Sequence, residues 1–495
     1  MTNASSLRPR RLALAFALAA LLAAPATHGA ILRPPLPQPP GGGAAARPNI
    51  VVLMTDDQTF ESLRVMPNVD RLIADQGVTF ESFFATYSLC CPSRSTFLTG
   101  QYAHNHGVLG NFPPDGGYGA LDHRNTLPVW LQRAGYSTAL VGKYLNGYGG
   151  SRKRTVPPGY TEWHGLVDPS TYRYWNFTIS ENGEPTKFRR KPGNYQTDVL
   201  ADRAVALVRD FAGSRKPFFL WVAFMAPHSD ITSPQKLAVP APRHQGDLAG
   251  EELSGAPSIN EADVSDKPAH IRDLPLLTED ELGEAELQYE RRLEALLAVD
   301  EAVARIVAEL KKTGELSNTV IVFVSDNGYL LGEHRLPEGK VLPYEESIRL
   351  PLIVRGPGFA KGATASAFAA NIDLAPTIAE LARATPKRTM DGISLVPVLE
   401  DPATSWQRDF VIESGPNPES EDVEESDHAE ESFVGVRTDR YLYVEYGSGD
   451  LELYDLVADP YQLESRHADA SFASVLAGLA GLLDDLESCA GSACR

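Results

Sequence analysis

Residues 89–100 read LCCPSRSTFLTG, and this stretch holds two of the four cysteines in a chain of 495 residues. The other two, Cys489 and Cys494, lie near the C-terminus. Four cysteines in an exported chain allow three disulfide connectivities. Neighbouring residues, however, seldom meet the Cα separation and Cβ directions that a disulfide demands. We therefore expect Cys90 and Cys91 to have a purpose other than bridging each other.

The pattern Cys-x-Pro-Ser-Arg followed at fixed spacing by Thr-Gly resembles the signature of the sulfatase family. The resemblance implies that a formylglycine-generating enzyme oxidises Cys90 to formylglycine and that Arg94 belongs to the catalytic site. An aldehyde hydrate carries two hydroxyls on one carbon, so one can attack sulfur while the other expels sulfate. No ordinary side chain can do both. The alternative is a buried or bridged cysteine pair with only a structural role.

The N-terminal residues have the pattern of an export signal. Residues 1–30 contain arginines, then an apolar run, then small residues suited to cleavage. The apolar run is too short to cross a bilayer as a helix, and no later apolar stretch is longer. We expect an exported protein, periplasmic or secreted, without stable membrane insertion. Residues 31–48 are rich in Pro, Gly and Ala and are predicted to be a flexible leader.

Length and charge restrict the fold class and the partners. The formal net charge of −20 argues against nucleic acid as a partner, and an anionic substrate would need local basic residues. The length suits a large α/β core with a smaller appendage. The resemblance implies an alkaline-phosphatase-like core with a mostly parallel sheet flanked by helices. We predict a catalytic domain at 49–409 and a C-terminal α+β subdomain with an antiparallel sheet at 410–495.

Acidic side chains follow two predicted strands. Residues 49–54 form an apolar run that leads into Asp56 and Asp57. Residues 320–324 lead in the same way into Asp326 and Asn327. Ligand sites of parallel sheets lie beyond the carboxyl ends of the strands, so these four side chains should converge. A solvated turn after each strand is the alternative.

These oxygen ligands suit calcium or magnesium better than zinc or copper. The resemblance implies a divalent cation, calcium by default with magnesium as the alternative, and adds the modified Cys90 to its ligands. The ion would orient a sulfate oxygen and neutralise charge during attack.

Basic residues also follow predicted strands. Residues 137–141 lead into Lys143, and residues 217–224 lead into His228. The resemblance assigns Lys143 to the sulfate and the formylglycine oxygen. It assigns His228 to the sulfate and to protonation of the leaving group. Lys340 is assigned to the sulfate and the leaving oxygen. The alternatives are a solvated lysine and a structural histidine.

Two further substrate-binding residues are predicted, Asn146 and His334. Many family members have a histidine two residues after the lysine, where this chain has Leu145, so the base for sulfate expulsion is not assigned. The segment from Gly142 to Asn146 resembles the N-acetylglucosamine-6-sulfatase and heparan 6-O-endosulfatase branch. We therefore expect hydrolysis of a carbohydrate 6-O-sulfate.

Other functions stay open at this stage. One is an arylsulfatase that acts on a small sulfate ester. Another is a phosphomonoester or phosphonate hydrolase of the same superfamily. A third is a catalytically silent binder of sulfated glycans, which would follow if Cys90 remained a thiol.

The remaining segments have local predictions. Apolar periodicity at 293–310 predicts a helix, and residues 419–431 are predicted to be a solvated acidic insertion. Strands are predicted beyond it, followed by a helix at 471–487 and a loop disulfide between Cys489 and Cys494. The basic residues at 187–191 are interpreted as solvated charge, with binding of neighbouring anionic sugars as the alternative.

Overall fold

The computed structural model describes residues 47–150, 154–233, 235–415 and 431–495. The predicted signal at 1–30 lies outside these residues, as do most of the predicted leader and most of the predicted acidic insertion. Contacts join Ala46–Arg495 into one unit, so a domain boundary at residue 410 stays a prediction.

The strands of the described residues fall into three sheets. In chain order they are β1 Asn49–Asp56, β2 Val78–Phe80, β3 Phe83–Phe84, β4 Ser137–Gly142, β5 Glu162–Leu166, β6 Phe177–Glu181, β7 Glu184–Phe188, β8 Phe218–Pro227, β9 Thr319–Ser325, β10 Leu352–Arg355, β11 Ala363–Ala365, β12 Ala369–Ala370, β13 Phe410–Ser414, β14 Phe433–Arg437, β15 Tyr441–Tyr446 and β16 Leu451–Asp455. The largest sheet has the order β11-β2-β10-β9-β1-β8-β4-β5-β6-β7. Strands β3 and β12 form a pair, and β13 to β16 form a four-stranded sheet.

Five neighbouring strands at the centre of the large sheet, β9, β1, β8, β4 and β5, run parallel. Their carboxyl ends therefore share one edge. The C-terminal sheet is antiparallel throughout. These sheets confirm the predicted fold class, a mostly parallel sheet with helices and a smaller antiparallel sheet.

Both faces of the large sheet are buried. Ile50 and Val52 of β1 pack into one apolar cluster, and Val51 and Leu53 pack into another on the opposite face. This alternation follows from the period of two residues in a strand. It explains why the central strands are continuous apolar runs instead of alternating apolar and polar residues.

Helices cover the two faces. They are α1 Pro67–Leu72, α2 Cys90–Thr99, α3 Ala103–His106, α4 Leu127–Arg133, α5 Gln196–Ala212, α6 Ala269–Arg272, α7 Glu279–Lys312, α8 Glu345–Ile348, α9 Leu374–Ala382, α10 Val396–Glu400 and α11 Ala473–Leu486. Cluster residues place α2, α4 and α9 on one face and α5 and α7 on the other. Within the described ranges, no helix combines the length and apolar character needed to cross a membrane.

The predicted helix at 293–310 begins earlier than its apolar periodicity indicates. Helix α7 starts at Glu279, where the side chain of Thr278 and that of Glu281 form a reciprocal capping box. The first turns are polar because they lie at the surface. The Thr-x-x-Glu spacing is the sequence signal that would have located this start.

A buried carboxylate ties the C-terminal sheet to the main fold. Glu452 of β16 is fully buried and accepts hydrogen bonds from Tyr446 at 2.6 Å and Tyr454 at 2.5 Å, both in the same sheet. It accepts a third from Tyr344, in a loop of the main fold, at 3.0 Å. Beyond α11, Cys489 and Cys494 form a disulfide with Cα atoms 5.2 Å apart.

The substitution Glu452→Ala tests this connection. It leaves three buried hydroxyls without their acceptor, so we expect the free energy of unfolding to fall by about 3 kcal/mol. Urea unfolding followed by tryptophan fluorescence measures the change. The control is Glu445→Ala, which removes the acceptor of a single hydroxyl, that of Tyr443. Equal losses in the two variants would contradict the role given to Glu452.

Candidate active site

Three carboxylates meet where β1 and β9 end. The parallel pairing places Thr55 beside Ser325, so the residues that follow each strand lie side by side. Asp56, Asp57 and Asp326 are buried, and a carboxylate oxygen from each lies within 4.8 Å of the others. The backbone N–H of Asp57 donates to Asp326 Oδ1 at 3.1 Å.

Asn327 completes this group of oxygen atoms. Its Nδ2 donates to Asp57 Oδ1 at 2.6 Å. Its Oδ1 is buried and has no hydrogen-bond partner within the described residues. A buried amide oxygen without a donor is rare in proteins, because the lost hydration is not replaced. The donor set is therefore all oxygen, with one oxygen kept for a cation, and it fits calcium or magnesium.

Cys90 begins α2, a helix in which every residue is buried. Its Sγ lies 3.6 Å from Asp56 Oδ1. Lys143 Nζ and Lys340 Nζ reach Sγ at 3.2 and 3.5 Å. Burial raises the pKa of this thiol, and the two lysines only partly oppose the rise. The group at position 90 therefore contacts both a carboxylate and two cations.

Arg94 lies one turn later on the same helix and neutralises the carboxylates. Its Nε donates to Asp326 Oδ2 at 2.8 Å, and its Nη2 lies 3.6 Å from Asp56 Oδ2. Its Nη1 donates to the carbonyl of Lys143 at 2.9 Å. The side chain is fully buried, so these are charge interactions in a medium of low dielectric constant.

Lys143 follows β4, and Lys340 comes from the loop after β9. Lys143 Nζ lies 2.5 Å from Asp56 Oδ2, and Lys340 Nζ donates to Asp57 Oδ1 at 2.8 Å. Burial alone would raise the pKa of Asp57. The basic residues around Asp57, Lys340 above all, outweigh burial and lower this pKa. Gly142 has a φ of 112°, and a Cβ there would clash with the carbonyl of Ala223. This glycine allows the chain to leave β4 in the direction of the site.

His228 follows β8, and its Nε2 lies 3.8 Å from Asp57 Oδ2. Burial, reinforced by Lys143 and Lys340, lowers its pKa to about 3, so the imidazole is neutral. Its Nδ1 lies 3.0 Å from the carbonyl oxygen of Ser229, which can only accept a hydrogen bond. We therefore assign the ring hydrogen to Nδ1, which leaves the lone pair on Nε2.

Asn146 contacts Cys91 in the described structure. The Asn146 N–H donates to Cys91 Sγ at 3.1 Å, and Cys91 Sγ lies 3.4 Å from Asn146 Oδ1. The backbone N–H of Cys91 donates to Asn111. Burial raises the pKa of Cys91 to about 12. This second cysteine is a neutral, packed thiol, and Leu145 beside it is an apolar core residue.

The contacts of His334 are with residues outside this cluster. Its Nδ1 lies 2.6 Å from Glu261 Oε2, and its ring centre is 4.0 Å from that of Tyr344. Burial lowers its pKa to about 3. A β-bridge between Ile259 and Glu333 draws this segment toward Glu261. The assignment of His334 to substrate binding therefore stays a prediction.

The site also contains residues that the sequence analysis did not assign to it. Arg292 of α7 donates to the backbone carbonyl of Asp57 and stacks on Tyr329 at 4.2 Å. The ring centre of Tyr172 lies 4.8 Å from Lys143 Nζ and 4.9 Å from the ring of His228. Neither follows a strand with a distinctive motif, so only the packing of distant segments reveals them.

Comparison with known proteins gives the family. A family model described as Sulfatase matches residues 48–384, and one described as N-sulphoglucosamine sulphohydrolase, C-terminal, matches residues 332–488. Human N-acetylglucosamine-6-sulfatase is 33% identical over 91% of this chain and 86% of its own length. An arylsulfatase of Volvox carteri is 37% identical over 71% of this chain, and the match spans only 58% of that relative.

A solved structure has the same fold. That relative was solved in complex with its substrate, D-glucosamine-2-N,6-O-disulfate. Its structure and that of this chain superpose with a TM-score of 0.73 and 27% sequence identity, over 88% of this chain and 97% of the relative. The Sulfatase model covers more than half of the chain, which therefore belongs to the sulfatase family. The similarity to an N-acetylglucosamine-6-sulfatase over 91% of the chain confirms the expected branch resemblance.

Proposed function

We propose that the chain is a sulfuric ester hydrolase whose nucleophile is formylglycine made from Cys90. The observation that carries the proposal is the buried cluster at the carboxyl ends of β1 and β9, in which Sγ of Cys90 contacts one carboxylate and two lysines. A thiol with a raised pKa is a poor nucleophile, so unmodified Cys90 has no evident use there. The partner that this requires is a formylglycine-generating enzyme.

We further propose that the four oxygen ligands hold calcium, with magnesium as the alternative ion. Asp56, Asp57, Asp326 and Asn327 would bind it, together with the modified residue 90. The support is the all-oxygen donor set and the unpartnered Oδ1 of Asn327. When bound, the cation supplies charge neutralisation and orients a sulfate oxygen.

The basic residues receive roles in binding and proton transfer. We assign Lys143 and Lys340 to the sulfate oxygens, because both ammonium groups already converge on residue 90. Arg94 is assigned to holding Asp56 and Asp326. His228 is assigned to protonation of the leaving oxygen. Because the hydrogen of its neutral ring lies on Nδ1, Nε2 would first take up the proton that the attacking hydroxyl of residue 90 loses and would then pass it to the leaving oxygen.

The proposed substrate is a carbohydrate 6-O-sulfate such as N-acetylglucosamine-6-sulfate. The support is the similarity to N-acetylglucosamine-6-sulfatase along nearly the whole chain. The solved relative bound to a glucosamine disulfate agrees with a sulfated sugar as ligand. Export to the periplasm or the medium is proposed as well, because a disulfide between Cys489 and Cys494 is typical of an oxidising compartment.

Cys90→Ala and Cys91→Ala test the nucleophile. We expect Cys90→Ala to lose all turnover of sulfate esters while it keeps the fold, because it removes the reacting group and little volume. Cys91→Ala should keep most activity, since that thiol only packs against Asn146. Mass spectrometry of the peptide that contains residue 90 should detect an aldehyde in place of the thiol. Equal loss of activity in two folded variants, or an unmodified peptide from an active enzyme, would refute the assignment.

Removal of the metal should abolish activity, because three buried carboxylates would otherwise repel an anionic ester. Activity should return when calcium or magnesium is added to the chelated protein, with metal content followed by elemental analysis. The Asp326→Asn variant should bind the ion more weakly. The control variant Asp122→Asn, which changes an exposed carboxylate, should bind the ion as the unchanged protein does. Full turnover by protein shown to be metal-free would be incompatible with the proposed cation.

His228→Ala tests the leaving-group role and the substrate together. A sugar alkoxide is a much stronger base than a phenolate and depends more on protonation. We expect kcat/KM to fall about a hundredfold for N-acetylglucosamine-6-sulfate and much less for an aryl sulfate. His244→Ala is the control, since His244 pairs with Asp247 and Glu301, which are not part of the cluster. Turnover of the aryl ester with no sugar 6-O-sulfate would refute the substrate, and preference for a phosphate ester would refute the reaction.

A further inference from the structure

A run of basic residues lies at the edge of the sheet that carries the site. Residues 187–191 read KFRRK and include the end of β7. Strand β5 is antiparallel to β6, and β6 is antiparallel to β7, so β7 runs parallel to β4 and β5. The basic run therefore leaves the sheet at the same edge as Lys143. Three strand spacings separate β4 from β7, which is roughly 14 Å.

Among the residues that the structure describes, no carboxylate pairs with the charges of this run. Lys187, Arg189, Arg190 and Lys191 are exposed, and within the described residues none forms an ion pair with a carboxylate. The chain has 65 acidic and 45 basic residues, so partners are abundant. Arg203, by contrast, pairs with Glu181 of the adjacent strand at 2.7 Å. Basic residues left unpaired in an acidic protein maintain a local positive potential.

An aromatic segment joins the basic run to the catalytic group. The guanidinium of Arg190 stacks on Trp175 at 5.5 Å, and its backbone N–H donates to Asn176 at 2.9 Å. In the same segment, the Tyr174 hydroxyl donates to the carbonyl of His228 at 2.8 Å. The basic run thus has a defined position relative to His228.

We propose that residues 187–191 form a subsite for the sulfate and carboxylate groups of neighbouring sugars in a sulfated glycan chain. A 6-O-sulfate at residue 90 and an anionic sugar a few rings away would then bind along one edge of the sheet. The inference rests on the proposed function, and it extends the substrate from a single sugar sulfate to an anionic oligosaccharide. Binding is electrostatic, so it depends on ionic strength.

The double substitution Arg189→Ser/Lys191→Ser tests the subsite. The control is Lys311→Ser/Lys361→Ser, which removes the same charge from exposed residues of a groove at the opposite edge, next to the start of β9. The substrates are N-acetylglucosamine-6-sulfate and a sulfated glycosaminoglycan tetrasaccharide. We expect the first variant to lower kcat/KM about fivefold for the tetrasaccharide at low salt, through KM. The monosaccharide should be unaffected, and so should the control variant.

An equal effect on the two substrates, or an equal effect of the control variant, would overturn the subsite. A second measurement separates this result from failure of the proposed function. Cys90→Ala, alone and combined with each double substitution, is eluted from an immobilised sulfated glycosaminoglycan by a salt gradient. Earlier elution only for the Arg189/Lys191 combination supports the subsite even if no sulfate is hydrolysed, and unchanged elution overturns it.

Discussion

The interaction between Arg94 and the carboxylates Asp56 and Asp326 is the constraint on which the site depends. Each carboxylate ends or follows a different parallel strand, and all three side chains are fully buried. Removal of one member of a buried charge pair typically costs about 3–5 kcal/mol, because the other charge remains without hydration. The arginine therefore fixes α2 against β1 and β9. Cys90, one turn earlier on α2, acquires its position from the same contact.

Burial determines the chemistry as well as the geometry. The strands that supply the acidic residues are covered on both faces by helices, so their ends meet in a medium of low dielectric constant. In that medium the lysines lower the pKa of Asp57, and desolvation raises the pKa of Cys90. The same contacts would be weak at the surface. A site for an anionic ester can therefore exist in a protein with a net charge of −20.

The features that the sequence indicated and those that it left unassigned differ in the range of the interactions on which they depend. The apolar runs at 49–54 and 320–324 indicated buried strands, because burial on both faces requires continuous apolar residues. The acidic residues after them were correctly expected to converge, since parallel neighbours end at one edge. The contact of His334 with Glu261, in contrast, joins residues that are distant in sequence. Arg292 and Tyr172 reach the site only through the packing of distant segments, so the sequence did not assign them to it.

The amino-acid sequence by itself determined the family signature at residues 89–100 and the acidic residues that follow two apolar runs. These features are local, since a motif, a strand and the residues that follow it occupy neighbouring positions. Only the tertiary structure decided which cations contact Cys90 and which ring nitrogen of His228 faces a backbone carbonyl. It also decided where the basic residues 187–191 lie relative to the site. Those facts depend on strand order and on the packing of distant segments, because charge interactions and hydrogen bonds are set by distance in space and not along the chain.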